Sequence, residues 1–134
     1  MANALYAKGK EKILSGAIDL TTATIKAALL SSSYTANLST DEFWSGISAN
    51  VLNTPQTLGS KSVTAGVFDA ADVTFTAVTS GSTAKAIVIY KDTGTASTSP
   101  LLAYIDTITG FPLATNGGDI TVTWDNGSYK IFSL

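Results

Sequence analysis

Residues 84–92 read Ala-Lys-Ala-Ile-Val-Ile-Tyr-Lys-Asp, and they constrain the fold more than any other stretch. Successive side chains of an extended chain point to opposite faces. Ile87 and Ile89 therefore share one face, while Ala86, Val88 and Tyr90 share the other. A strand apolar on both faces has no side to turn to water, so it belongs in the middle of a sheet covered above and below. "PLLAYIDTI" at 100–108 repeats the pattern. "TATIKAALL" at 22–30 puts Ile25, Ala27 and Leu29 on one side and Lys26, Ala28 and Leu30 on the other, so its second face begins wet and ends apolar.

From residue 50 onward the chain reads as short strands separated by turn clusters. "KSVTAGVFDAADVTFTAV" predicts two strands around a turn near Asp69 to Asp72, and "NTPQTLGS", "TGTASTS" and "TGFPLATNGG" carry loop chemistry. Asn126-Gly127 is a strong type I′ hairpin signal, because such a turn needs positive φ at both central residues. That turn pairs Asp125 with Ser128, Trp124 with Tyr129 and Val122 with Ile131. It places Trp124, Val122 and Ile131 on one face, with Phe132 on the other, where Phe132 and Leu134 meet the helical layer or another subunit.

Two helices are expected. The first runs from Ala4 to Ser15, with Asn3 as N-cap, Gly16 as C′ stop and Leu5, Tyr6, Ile13 and Leu14 on a broad apolar face. Gly9 weakens it, and Lys8, Lys10 and Lys12 form its solvated side. The second spans residues 40–47: Ser39 and Glu42 have capping-box spacing, Leu38 and Phe43 have staple spacing, and Phe43, Trp44 and Ile47 pin it to the sheet. The expected architecture is mainly β, a two-layer antiparallel β-sandwich or distorted barrel with two short α-helices, in a single domain of 134 residues.

Composition narrows function by what it lacks. Charged residues are only 13% of the chain, against about 25% in typical domains, and Thr and Ser take their place. There is no His, Cys or Arg. The commonest general base and metal ligand, the thiolate nucleophile and the bidentate phosphate fork are therefore absent. A net charge of −2 adds no general attraction to nucleic acid, and no apolar run of membrane-spanning length occurs, so neither is an expected partner. The N-terminal stretch shows no apolar run of signal-peptide length, so synthesis in a cytoplasm is expected.

The remaining candidates are few. Asp69 and Asp72 lie three apart at a turn, and Asp92 follows a strand. Turn carboxylates bond local amides, so catalysis by these groups is not expected, and a calcium site at Asp69 and Asp72 lacks the dense acidic loop such sites use. No metal or other cofactor is expected. Trp44, Trp124, Tyr104 and Phe111 form the aromatic pool from which a carbohydrate-binding face could be built.

Three stretches, "AKGKEKILSGAIDLTTATIKAALLSSSYT", "DVTFTAV…AKAIVIYKDTGT…SPLLAYID" and "GGDITVTWDNGSYKIFSL", together resemble small virion-associated proteins of tailed bacteriophages. The resemblance spans most of the chain and carries no catalytic motif. It implies a non-enzymatic capsid decoration (cement) protein bound to the outer surface of the head, with the major capsid protein as partner and the capsid surface as location. A tail or neck position, or a carbohydrate-binding β-sandwich module, are the alternatives. Capsid lattices offer threefold positions, so a homotrimer is expected, with Leu5, Tyr6, Phe111 and Leu113 as assembly contacts.

Overall fold

The computed structural model describes residues 4–108, 110–124 and 130–133. Strand β7 (Thr83–Lys91) is the middle of the fold, as its two apolar faces require. Around it β1 (Ala4–Leu5), β8 (Leu101–Ile105), β2 (Ile25–Ser31) and β3 (Val51–Thr57) make an antiparallel sheet in the order β1-β8-β7-β2-β3. β9 (Leu113–Ala114) pairs with the start of β7, on the edge that β8 takes further along.

Ile87 and Ile89 enter one hydrophobic cluster, and Ala86, Val88 and Tyr90 enter the other. β2 divides in the same way, with Ile25, Ala27 and Leu29 on one side and Ala28 and Leu30 on the other. Lys26, at its wet end, pairs with Asp92 at 2.8 Å.

Small sheets cover the first face. β10 (Ile120–Val122) pairs with β6 (Val73–Phe75), and β11 (Phe132–Ser133), β5 (Val67–Asp69) and β4 (Ser62–Thr64) form a second unit in that order. Phe68, Phe75, Val122 and Trp124 carry these units into the core and give a sandwich-like layering. The second face is covered by the segment after β2, through Tyr34, Ile47 and the partly buried Leu38 and Trp44. The indole of Trp44 stacks on Tyr90 with ring centroids 4.1 Å apart and 14° between planes.

The first helix, α1, spans Ala7–Leu14, shorter than the predicted 4–15. Ala4 and Leu5 form β1 against β8, the N-cap position is Tyr6, and Asn3 lies outside the described residues. The reason is tertiary: Tyr6 N–H donates to the Leu102 carbonyl, and Ala7 N–H donates to Leu38. Ile13 packs on the core while Leu14 is 77% exposed, so the predicted apolar face is divided. Gly16, at φ 81, ends the helix as its residue type predicts.

No α-helix forms over 40–47; two 3-10 turns, Trp44–Gly46 and Ser48–Asn50, stand there instead. Asn37 Oδ1 accepts the Ser39 and Thr40 amides, and Asp41 Oδ2 accepts the Asn37 amide. Such local bonds compete with the helical ladder. Extended pairing then takes over: Leu101 N–H donates to Glu42 and Trp44 N–H to Ser99. The Glu42 carboxylate, expected in a capping box, binds Lys12 at 2.7 Å.

The chain over 61–78 makes three strands rather than two. Its tight turn is Ala65-Gly66, with φ of 52° and 78°, which joins β4 to β5. The Asn126-Gly127 turn and the Asp125–Ser128 and Trp124–Tyr129 pairs lie outside the described residues, and among the described residues Val122 and Ile131 take other partners. Val122 pairs with Val73, Ile131 sits in a bend, and β11 pairs with β5. Val122, Trp124 and Ile131 do share one core cluster. Strands β10 and β11 find their partners in β6 and β5 respectively.

Candidate assembly surface

The three-stranded β11-β5-β4 unit has an apolar side and a bare edge. Val63, Phe68 and Phe132 lie in register across β4, β5 and β11. The Phe68 and Phe132 rings meet at 5.1 Å, and Phe68 is buried beneath the row. Between this row and the end of α1 runs an open groove of about 480 Å³, lined by Ile13, Ile18, Leu20, Val63, Phe68 and Phe132. Phe132, expected on the face opposite Val122, Trp124 and Ile131, packs instead at the margin of the same core cluster, against Phe68. Val63 remains 47% exposed at the rim. Asp19 also lines the groove, and hydrogen bonds from Thr21 hold its carboxyl below the usual range.

The sequence-predicted assembly residues fall elsewhere. Tyr6 is fully buried and cannot touch a neighbouring subunit while the chain is folded. Its hydroxyl bonds Tyr34 at 2.8 Å, and Tyr34 in turn donates to Asp41 at 2.6 Å. Burial disfavours the ionised form and raises the pKa of both phenols well above the ordinary tyrosine range. Leu5 and Phe111 are partly buried against the core, and Leu113 is 37% exposed. Leu5 stands opposite Ala103, which faces Ile89, whereas Leu113 stands opposite Ala84. Those positions on β7 are five residues, roughly 17 Å, apart, so the residues do not make one tight patch.

Two of the three carboxylate candidates, Asp72 and Asp92, have structural employment, while Asp69 sits partly buried at the end of β5. Asp72 Oδ1 accepts the Trp124 amide at 2.9 Å. Asp92 bonds Lys26, which holds its carboxyl below the usual range, and also accepts the Gly94 amide. Among the described residues no three His, Cys, Asp or Glu side chains gather to hold a metal. Of the aromatic pool, Trp124 and Tyr104 are buried in the core. Most lysines are occupied too: besides Lys12 and Lys26, the ammonium groups of Lys61, Lys85 and Lys91 reach the carbonyls of Ala23, Tyr34 and Ala17.

Sequence reasoning missed the groove because Val63 and Ile18 carry no motif. The exposure of Val63 follows from how β4 is placed. A three-residue strand in "KSVTAGV" is too short for its pattern to show which side is covered. No protein-family model matches this chain, and no curated protein matches it.

Proposed function

We propose that this chain is a non-enzymatic structural protein of a tailed-phage particle, a decoration protein that binds the outer surface of the head and stabilises the shell. The observation that carries the assembly part is the open apolar groove beside an exposed strand edge, on a chain whose ionisable groups are largely engaged with one another or with its own backbone. Exposed apolar surface of this kind suits protein–protein contact. The virion part rests on the resemblance of the three sequence stretches. The major capsid protein is the partner this reading requires, and the two-sided core suits a domain that folds before it docks.

Quantitative mass spectrometry and cryo-microscopy of purified particles test the reading. The expected result is this chain at hundreds of copies per particle, with density on the outside of the shell and earlier thermal rupture of heads that lack it. Density confined to the tail or neck moves the function there. A particle preparation without the chain overturns the proposal.

A further inference from the structure

The β4 edge has a self-complementary layout. Thr64 and Val67 close the two-residue turn at Ala65-Gly66, so they form the hydrogen-bonded pair of the hairpin. Hydrogen-bonded and non-hydrogen-bonded pairs alternate along antiparallel strands. Val63 and Phe68 are therefore a non-hydrogen-bonded pair, and the backbone groups of each point away from the other. Phe68 bears this out, because its carbonyl accepts the Ile131 amide from the opposite side. The N–H and C=O of Val63 accordingly face the open edge. Among the described residues β4 has a strand on one side only, and Ser62, Val63 and Thr64 are all exposed.

The edges of the large sheet are blunted by devices that β4 lacks. β3 contains Pro55 and a register irregularity around Asn53, which stands at φ 64 and donates its side-chain amide to Thr76. β1 is two residues long. β4 carries no charge, proline or bulge, and the adjacent Lys61 turns its ammonium back to the Ala23 carbonyl rather than across the edge.

We infer that β4 pairs with β4 of a second copy, antiparallel and centred on Val63, through a twofold axis. In that register Val63 meets Val63 of the second copy, and the two exchange N–H···O=C bonds. Ser62 meets Thr64, hydroxyl against hydroxyl, and Lys61 meets Ala65, so no like charges oppose. The apolar row Phe132-Phe68-Val63 then continues through its symmetry mate, and the two three-stranded units become one six-stranded sheet. A twofold contact of this kind is isologous, unlike the threefold expected from lattice symmetry. It concerns the isolated protein and stands apart from the virion reading.

The chain has no cysteine, which makes the test direct. Hydrogen-bonded antiparallel partners have Cα atoms about 5.5 Å apart, within disulfide range. Under diamide, Val63→Cys is expected to form a reducible dimer at least tenfold faster than Leu14→Cys, although Leu14 is more exposed. Thr64→Cys alone is expected to behave like Leu14→Cys, since its partner is Ser62. Analytical ultracentrifugation of the unsubstituted protein should show a monomer–dimer equilibrium that Val63→Asp shifts at least tenfold towards monomer, with an unchanged circular dichroism spectrum. Cross-linking of Val63→Cys no faster than the other two overturns the inference. So does a dimer or trimer indifferent to Val63→Asp, or a monomer at several hundred micromolar.

Discussion

The backbone N–H of Trp124 donates to the carboxylate of Asp72 at 2.9 Å. The indole Nε1–H of the same residue reaches the Ala71 carbonyl at 3.0 Å, so Trp124 is buried with its polar handle satisfied. Trp124→Ala is expected to cost about 3–5 kcal/mol in urea unfolding, as for other buried large aromatics. Asp72→Ala should cost about 1.5 kcal/mol, the low end for a hydrogen bond to a charged group, and Asp72→Asn should recover most of it. Calcium is expected to leave the midpoint of the unsubstituted protein unchanged. A midpoint raised by calcium and insensitive in Asp72→Asn would reassign the carboxylate to a metal site.

Gly9 invites an alanine on helix propensity, and the structure forbids it. A Cβ at this position would stand 2.4 Å from the Leu101 carbonyl oxygen and 3.0 Å from the Leu102 Cα, both backbone atoms of β8. Gly9→Ala is expected to destabilise by about 1–3 kcal/mol, the cost of overpacking, although alanine is the better helix former. Thermal unfolding checks the sign.

Ala65 offers the opposite case. It holds φ 52 in the β4–β5 turn, a region costly for residues with a Cβ, and it is exposed. Ala65→Gly and Ala65→Asn are both expected to raise stability, by about 0.5–1 kcal/mol, as read from denaturant midpoints at unchanged slope.

Stability should be nearly flat between about pH 5 and 9, since the chain has neither His nor Cys to titrate there. The Asp92 carboxyl is depressed by Lys26 in the folded state. Its contribution is present above the unfolded value near pH 4 and is lost as pH falls through the lower folded value. On the alkaline side burial raises the phenols of Tyr6, Tyr34 and Tyr104, and pushes Tyr90 up to about 12 with help from Asp92. The unfolded chain ionises first, so stability falls above about pH 10. Tyr34→Phe should make that alkaline limb shallower in unfolding measured from pH 8 to 11.

The two-faced strands were legible because burial on both sides leaves a period-2 record in Ile87, Val88, Ile89 and Tyr90. Gly16 was legible because a left-handed helix stop needs no distant partner. The second helix was not, since Asn37 and Asp41 fold residues 37–41 into a local turn and the backbone of Glu42 and Trp44 is taken by Leu101 and Ser99, more than fifty positions away. The partners that replace the expected Val122–Ile131 pair were not legible for a related reason. Ile131 and Phe132 find Phe68, more than sixty positions away, and no local turn preference reports that. Tyr6 reads in the sequence as part of a helix's apolar face and an assembly contact, and its full burial beside Tyr34 and Asp41 depends on a different segment arriving.

Ala28 pairs with Val88, sixty positions later, yet both faces of the sheet depend on that ladder. During synthesis β2 leaves the ribosome with two apolar sides and waits for β7 before either cluster can close. Non-local pairing of this sort places folding in the slow range of single domains, milliseconds to seconds, and leaves a sticky strand exposed in the interval. Once β7 arrives it completes two cores in one step, so the halves have no independent existence and unfolding should be a single cooperative event. Yield of this protein at high expression will therefore be governed by temperature and translation rate through the lifetime of unpaired β2, more than by the stability of the finished fold.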